Sequence, residues 1–411
     1  MGKEEKEMII RVREFNMEKD LRAVEEMERR CEVGPSTTTT AGGDGKRKNK
    51  KKRTTTLYVD LLGDPMSRVR QTPEHVMLVA EYGEKKEMVG VIRACVKMVS
   101  RGRESTSHLP AYVKVAYILG LRVSPTHRRL GIGTRLVEQA EAWSLERGAE
   151  YAYMATDGSN TASLNLFSRL SYARFRSPAV LVHPVHAHRL PPPSSAATIL
   201  RLPPSLAAAL YARLLAPSST EFLPSDLPSL LSHPLTLGSF LALPSSISSP
   251  SFSPLSHPLP ESFALLSLWD CTRVFHLRVA GAPATARAAL ALLRALDERA
   301  PWMRLPSVRD VFRPFGVYFM YGLRMAGPDG PRLLRSLCRL AHNLAVADEA
   351  CAAVVAEVGP HDPVRAAVPH WRRFSWDEDV WSMKRLRVDN DDDWIASPPS
   401  TDIMFVDPRE F

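Results

Sequence analysis

The run Arg128-Arg129-Leu130-Gly131-Ile132-Gly133-Thr134 lies between residues 113–123, which alternate like a strand, and residues 133–147, whose apolar residues Leu136, Val137, Ala140 and Trp143 share one helical face. Glycines without a Cβ let backbone N–H groups converge, and at a helix N-terminus those groups and the helix dipole can receive a pyrophosphate. Arg128 and Arg129 add cationic partners. The same spacing is also compatible with an ordinary glycine-bearing turn. A Walker loop requires G-x-x-x-x-G-K-[ST], and a dinucleotide fingerprint sits early in a βαβ unit; neither pattern is present.

Around this motif the first part of the chain reads as a strand (8–15), a helix (20–30), a hairpin of two strands (76–82 and 88–99), the strand 113–123, the helix 133–147, a strand (151–156), a helix (161–170) and a strand (173–183). The mixture predicts an α+β fold with a mixed sheet. Residues 35–56 are rich in Thr, Gly, Lys and Arg with almost nothing apolar, which predicts a disordered insertion within the first domain. A length of 411 residues calls for two domains or one with a large appendage. We place the first at 1–185, a linker at 186–194, and the second at 195–411 with a flexible loop at 243–260. Within the second, residues 202–215 and 227–240 have helical apolar patterns, 263–269 and 274–279 read as strands, and 284–298 as a helix. VYFMYGLRM at 317–325 echoes VAYILGLRV at 115–123, and each is followed by a loop, a helix and a strand, here 330–343 and 352–357. Duplication explains the shared order. The second loop reads Met325-Ala326-Gly327-Pro328-Asp329-Gly330-Pro331, whose acidic residue and prolines make it a poor phosphate cradle.

Hydrophobic residues make up 45% and charged residues 24%, as in globular proteins. No stretch reaches about 18 uninterrupted apolar residues, and the charged start lacks the apolar segment of a secretory leader, so neither a span nor a leader is expected. Lys6 stands where a myristoylation signal wants Ser or Thr. The five cysteines are scattered without C-x-x-C spacing, which suggests no disulfide framework or zinc knuckle and fits a reducing compartment. Much of the formal +9 charge sits in KRKNKKKR at 46–53, readable as a nuclear import signal, a nucleic-acid contact or a solvated insertion. No recognition module accompanies it, so sequence-specific nucleic-acid binding is not expected.

With its motif and element order, the chain resembles the GNAT superfamily of N-acetyltransferases, whose R/Q-x-x-G-x-G/A loop holds the acetyl-CoA pyrophosphate. CEVGPS (31–36), LLGDP (61–65), LGLRVSPTHRRLGIG (119–133), PHWRRFSWDEDVWSMKRL (369–386) and the ending FVDPREF are similar to the plant Hookless family of N-acetyltransferases. The resemblance implies a GNAT fold followed by a second, degenerate GNAT-like domain, acetyl-CoA as co-substrate, no metal, and transfer of acetyl to an amine, protein lysine or small amine. It further implies a role in differential plant growth, notably apical-hook formation under hormone and light control, and nuclear action, with a cytoplasmic location as the alternative. Carried over by position, Leu121 and Val123 face the pantetheine arm, Arg128, Arg129, Gly131, Gly133 and Thr134 hold the pyrophosphate, and Asn160 lies near the cofactor. Many members have a glutamate base where this chain has Tyr117, and a tyrosine proton donor where it has Phe167. Tyr117 is thus the catalytic candidate, and a non-catalytic scaffold that binds regulatory protein partners is the alternative.

Other features read as structure. His183, His186 and His188 have no Cys, Asp or Glu partner nearby in sequence and are expected to pack or to lie at the surface; Cys271 reads as core; Trp371, Trp376 and Trp381 suggest a packed terminal strand or turn; residues 389–393 read as an acidic solvated tail.

Overall fold

The computed structural model describes residues 10–30, 33–38, 54–104, 111–191, 197–247, 259–376, 379–387, 394–397 and 401–411. In chain order the elements are β1 (Ile10–Glu14), α1 (Met17–Arg30), β2 (Val33–Thr38), β3 (Thr54–Asp60), β4 (Glu74–Tyr82), β5 (Glu87–Arg101), β6 (Tyr112–Val123), α2 (Ile132–Glu146), β7 (Tyr151–Asp157), α3 (Thr161–Arg169), β8 (Ala173–Arg176) and β9 (Ala179–Pro184). They continue with β10 (Ala197–Leu202), α4 (Pro204–Leu214), β11 (Glu221–Pro224), α5 (Leu227–Leu231), β12 (Thr236–Pro244), β13 (Phe263–Asp270), β14 (His276–Ala280), α6 (Ala284–Arg299), β15 (Gly316–Ala326), α7 (Gly330–Val346), β16 (Cys351–Val358) and β17 (Asp379–Arg385). No described helix is long and apolar enough to cross a membrane.

Two mixed sheets dominate. One runs β1-β4-β5-β6-β7-β17-β8, with β11 added to β5; the other runs β10-β12-β13-β15-β16-β9. In each, one described pair is parallel, β6·β7 and β15·β16, because a helix, α2 or α7, carries the chain back across the sheet. Helix α2 buries Leu136, Val137 and Ala140 against Ile92, Ala116 and Ile118 of the first sheet. Helix α7 repeats this in the second, setting Leu333, Leu337 and Ala341 against Leu266, Met320 and Val354. The opposite faces of both sheets meet in one continuous core that includes Tyr117, Tyr153, Phe222, Phe319 and Trp381. The second half therefore has the GNAT-like plan that its repeated strand predicts, with β15 in the middle of its sheet.

The sheets do not divide the chain at 186–194. Pro178 splits the expected strand 173–183: β8 stays beside β17, while β9 crosses over and pairs with β16. In return β17 pairs with β7 in the first sheet, from Asp379↔Asp157 to Arg385↔Tyr151. Each half thus lends a strand to the flank of the other's parallel pair, and His186 and His188 of the expected linker are buried.

Other expectations need correction. The insertion 35–56 is ordered at both ends, where β2 and β3 join β14 in a three-stranded sheet; Thr residues suit strands despite the polar composition. Its middle, with the basic run 46–53, lies outside the described residues, as do the acidic residues 389–393 and positions 248–258 of the loop. The helix expected at 227–240 ends at Leu231; Pro234 cannot continue it, and β12 begins at Thr236. Strand β12 and a 3-10 turn, Ser245–Ile247, also occupy the start of the expected 243–260 loop.

Candidate functional site

The site begins with a defect in β6. Gly120 takes φ 63°, in the left-handed region that favours glycine, and the register with β5 slips between Val91↔Arg122 and Arg93↔Leu119. An added Cβ at Gly120 would lie 2.6 Å from Arg93 Nη1, so the glycine also admits a close approach. Pairing with β7 covers Val115↔Tyr151, Ala116↔Ala152 and Tyr117↔Tyr153 and then stops, while β7 goes on pairing with β17. The two strands splay apart from that vertex. Beyond it Leu121, Arg122 and Val123 on one side and Ala155, Thr156 and Asp157 on the other are only partly buried. The β6 edge facing β7 here has lost its ladder, and such backbone groups need another partner.

The strand leads through the 3-10 turn Pro125–His127 into the glycine loop. Arg129 (φ 65°) and Gly131 (φ 82°) are both left-handed, and Gly131 is the N-cap of α2 with no side-chain cap. The first bond into the helix is donated by the Arg135 N–H to the Gly131 carbonyl at 3.0 Å. The preceding N–H groups, those of Ile132, Gly133 and Thr134, therefore have no partner within the helix and point out of its end. Nothing lies within 4 Å of a Cβ placed on Gly131, whereas one on Gly133 would meet Leu166 at 3.2 Å, Val123 at 3.8 Å and Leu121 at 3.9 Å. Gly131 is thus needed for conformation and Gly133 for space. Arg128 and Arg129 are exposed, and no described carboxylate lies in ion-pair contact with them. The structure gathers Leu121, Val123 and 128–134 on one side of the opening. Asn160 lies near the far wall, but its side chain caps α3: Oδ1 accepts from the Ser163 N–H at 3.2 Å and Nδ2 donates to Thr156 Oγ1 at 3.0 Å.

Tyr117 sits at the vertex, on the sheet face turned toward the second half. Its ring lies 4.9 Å from that of Tyr153. Burial, then the charge of Glu410, pushes the phenols of both well up, so each keeps its proton near neutrality. Phe167 is core, edge-on to Tyr172 at 4.9 Å, and offers no proton.

Against this face lies the segment 404–410, every residue of it buried. Tyr153 donates its hydroxyl proton to a hydrogen bond with Glu410 Oε1, and Lys97 Nζ of β5 pairs with Glu410 and with Asp407, the latter at 3.1 Å. Arg409 holds Asp407 at 2.7 Å and Asp226 at 2.7 Å. Burial opposes the charge on both acids, with different results. Arg409 and Lys97 outweigh it at Asp407, whose carboxyl falls well below the usual range; at Glu410 burial and the nearby Asp407 prevail and the carboxyl rises. No local spacing in the sequence pointed to this role, because the partners of Glu410 are strands hundreds of positions earlier; the alternation of acids, Arg and Phe in FVDPREF was the one available signal.

A second charged group borders Gly120. Glu28 of α1 pairs with Arg93 at 2.9 Å and lies 3.6 Å from Arg122, while the Arg93 Nε donates to the Pro65 carbonyl at 2.7 Å. Glu28 and Pro65 also line a cleft of about 440 Å³ between α1, residues 58–65 and residues 312–314.

Across the second sheet, His183, His186 and His342 bring ring nitrogens within 4.8 Å of one another, a grouping invisible to sequence spacing. Burial lowers His183 to about 4 and His342 to about 3, so both are neutral. His342 Nε2 already accepts from the His186 N–H at 3.0 Å, and His186 Nδ1 meets the Ser307 carbonyl at 2.7 Å. His188 is held by Asp297 at 2.8 Å.

These features agree with what the chain is similar to. The profile of the Acetyltransferase (GNAT) family matches residues 50–172. Acetyl transferase GW6a of Oryza sativa subsp. japonica is 58% identical over 98% of this chain and 98% of its own length. Probable N-acetyltransferase HLS1-like of Arabidopsis thaliana is 45% identical over 98% of this chain and 100% of its own. Among solved structures, N-myristoyltransferase of Saccharomyces cerevisiae with bound myristoyl-CoA covers 96% of this chain and 80% of its own, at 9% identity and a TM-score of 0.50, a likeness of fold alone. The chain belongs to the GNAT family of acetyltransferases, together with the rice and Arabidopsis proteins that match it from end to end.

Proposed function

We propose that the protein moves the acetyl group of acetyl-CoA to an amine, with the first sheet as the working half. The observation that carries this reading is the opening between β6 and β7, which leads directly onto the uncapped, glycine-bearing start of α2. There the N–H groups of 132–134 and the exposed guanidinium groups of Arg128 and Arg129, in ion-pair contact with no described carboxylate, suit a pyrophosphate. The unpaired edge of β6 at Leu121 and Val123 suits the amide groups of a pantetheine arm, which would run as an added strand toward the vertex. Such placement converts a bimolecular acyl transfer into a reaction between held partners. Calorimetric titration with acetyl-CoA tests the site. Wild type should bind one equivalent, and a Gly131→Glu, Gly133→Glu variant should lose binding by more than a hundredfold; a well-folded wild type without saturable binding would sink the reading.

One observation favours a second reading, a GNAT-fold regulatory protein that transfers nothing: Tyr117 and Phe167 stand where the resemblance leads one to expect proton-handling groups. Loop-dependent turnover of acetyl-CoA against panels of peptides and small amines rejects it, and binding without turnover supports it. The kinship with the plant Hookless family supports a role in the regulation of differential growth, and the basic run 46–53 supports nuclear action. Changing every basic residue of that run to Gln should shift a tagged chain toward the cytoplasm; an unchanged distribution would leave the run as a solvated insertion.

A further inference from the structure

We propose that Glu410 is the general base of this acetyl transfer, supplied by the C-terminal segment to the vertex of the β6/β7 opening. The inference rests on the acetyltransferase reading above and adds to it the group that handles the proton. Its first support is position. Tyr117↔Tyr153 is the last pair before the strands part, and the Tyr153 hydroxyl is bonded to Glu410, so the carboxylate lies one tyrosine side chain away from the vertex, on the sheet face turned toward the second half.

Its second support is the company Glu410 keeps. From β5 it meets Lys97 and lies near Cys95; from β6 and β7, the phenols of Tyr117 and Tyr153; from its own segment, Asp407 and Arg409; from β16, the more distant Glu357. The Arg68 Nη2 donates to the Glu410 backbone carbonyl at 3.2 Å. Two of these groups cannot exchange protons near neutrality: Arg409 and Lys97 keep Asp407 ionised, and burial keeps Cys95 protonated, at about 12. Burial raises Glu410 from the ordinary carboxylate range, in the direction a base working near neutral pH requires. The third support is that burying a carboxylate without need is costly, and Asp407 alone already gives Lys97 and Arg409 an ionised partner.

In the reaction the neutral amine nitrogen forms a bond to the thioester carbonyl carbon, and Glu410 takes the proton that nitrogen sheds. The C–S bond breaks, and the carboxyl returns the same proton to the departing thiolate. Amide and thiol are the products, and Glu410 ends ionised as it began.

Steady-state turnover of the full-length chain with acetyl-CoA and its best amine, alongside calorimetric binding of acetyl-CoA, tests the assignment. Glu410→Gln keeps the size and the hydrogen bond with Tyr153. It should lower kcat by at least a hundredfold, leave the acetyl-CoA Kd within about twofold, and remove the limb over which kcat/KM rises with pH as the base ionises. Glu410→Asp, which keeps the charge beside Lys97, should fold even where the Gln variant does not, lose at least tenfold in kcat and retain a limb. Unchanged kcat in either variant, or an unchanged limb in Glu410→Gln, overturns the base while leaving the transferase reading intact. Wild type that binds acetyl-CoA yet transfers to no amine overturns both, and wild type that binds no acetyl-CoA overturns the underlying site first.

Discussion

The two halves build the same opening and use it differently. In each, a bulged strand with a left-handed glycine, Gly120 at 63° or Gly322 at 62°, leaves its parallel partner, and a helix starts beyond the loop. In the first half the far ends of both strands remain partly exposed and the loop gives α2 an uncapped start. In the second, the corresponding space is taken by the chain itself. Tyr211 reaches to 2.7 Å from where a Gly322 Cβ would stand, and Ile403, Met404, Phe405 and Val406 wall a residual cavity of only about 20 Å³. Its loop is spoiled as well: α7 also starts without a side-chain cap, but Asp329 sets a negative charge at its N-cap position, Pro331 removes an N–H, and Arg332 is drawn to Asp329 at 3.0 Å. A fold can thus keep its splayed geometry while losing the chemistry of its loop. The segment that fills the second opening also runs on to set Glu410 against Tyr153 and Lys97 of the first sheet, so the two states belong to one arrangement.

The largest expected effect breaks the comparison at its seam. Glu221 of β11 holds Arg176 of β8 through contacts of 2.7 and 2.6 Å and accepts from Trp394 Nε1 at 2.9 Å, all of it buried. Glu221→Ala strands a buried guanidinium and should cost about 3–5 kcal/mol. Because strands are exchanged between the halves, denaturant unfolding should stay a single transition at lower midpoint. Two separate transitions would show that the halves are independent units.

Next comes the pair of glycines. Gly322→Ala drives a Cβ into the rigid Tyr211 ring at 2.7–2.8 Å and should cost about 2–3 kcal/mol without altering the acetyl-CoA Kd. Gly120→Ala meets the end of Arg93 instead, and by disturbing the bulge should weaken acetyl-CoA about tenfold. Equal effects of both on the Kd would remove the functional difference between the halves.

A pH experiment probes the flank of the first opening, where Asp379 of β17 faces Asp157 of β7. Burial, then Asp157, raises Asp379 to about 6. A carboxyl raised in the folded state holds its proton better there than in the unfolded chain, so stability declines as pH climbs from about 4 to about 6. Asp379→Asn should therefore gain about 1–2 kcal/mol at pH 7 and nothing at pH 4. A gain of equal size at both would assign the effect to packing. The smallest effect is Gly131→Ala: with open space around the site, only the left-handed backbone resists, and about 1 kcal/mol of loop strain should appear as a severalfold weaker acetyl-CoA Kd with little change in midpoint.

Much of this was legible in the chain because it depends on local pattern. The strand before the loop, the loop itself, α2 and the repeated GLR segment are contiguous, and their periodicities survive into β6, α2, β15 and α7. What the sequence concealed is long-range. Nothing near Pro178 says that β9 will join β16, nothing near Trp381 says that β17 will lie between β7 and β8, and the partners of Glu410 belong to strands read as a separate domain. Composition misled at 35–56, where Thr-rich ends become strands because β14 offers an edge to pair with. Asn160, singled out for its place near the cofactor, also has a structural task that the sequence reading did not name, as the cap of α3.

The central claim is that one opening takes acetyl-CoA and the other cannot. Hydrogen exchange of the full chain with and without saturating acetyl-CoA tests it most directly. The account predicts slowed exchange at 119–136 and 154–160 with no change at 321–334. Protection at 321–334, or its absence at 119–136 under saturating ligand, would contradict it.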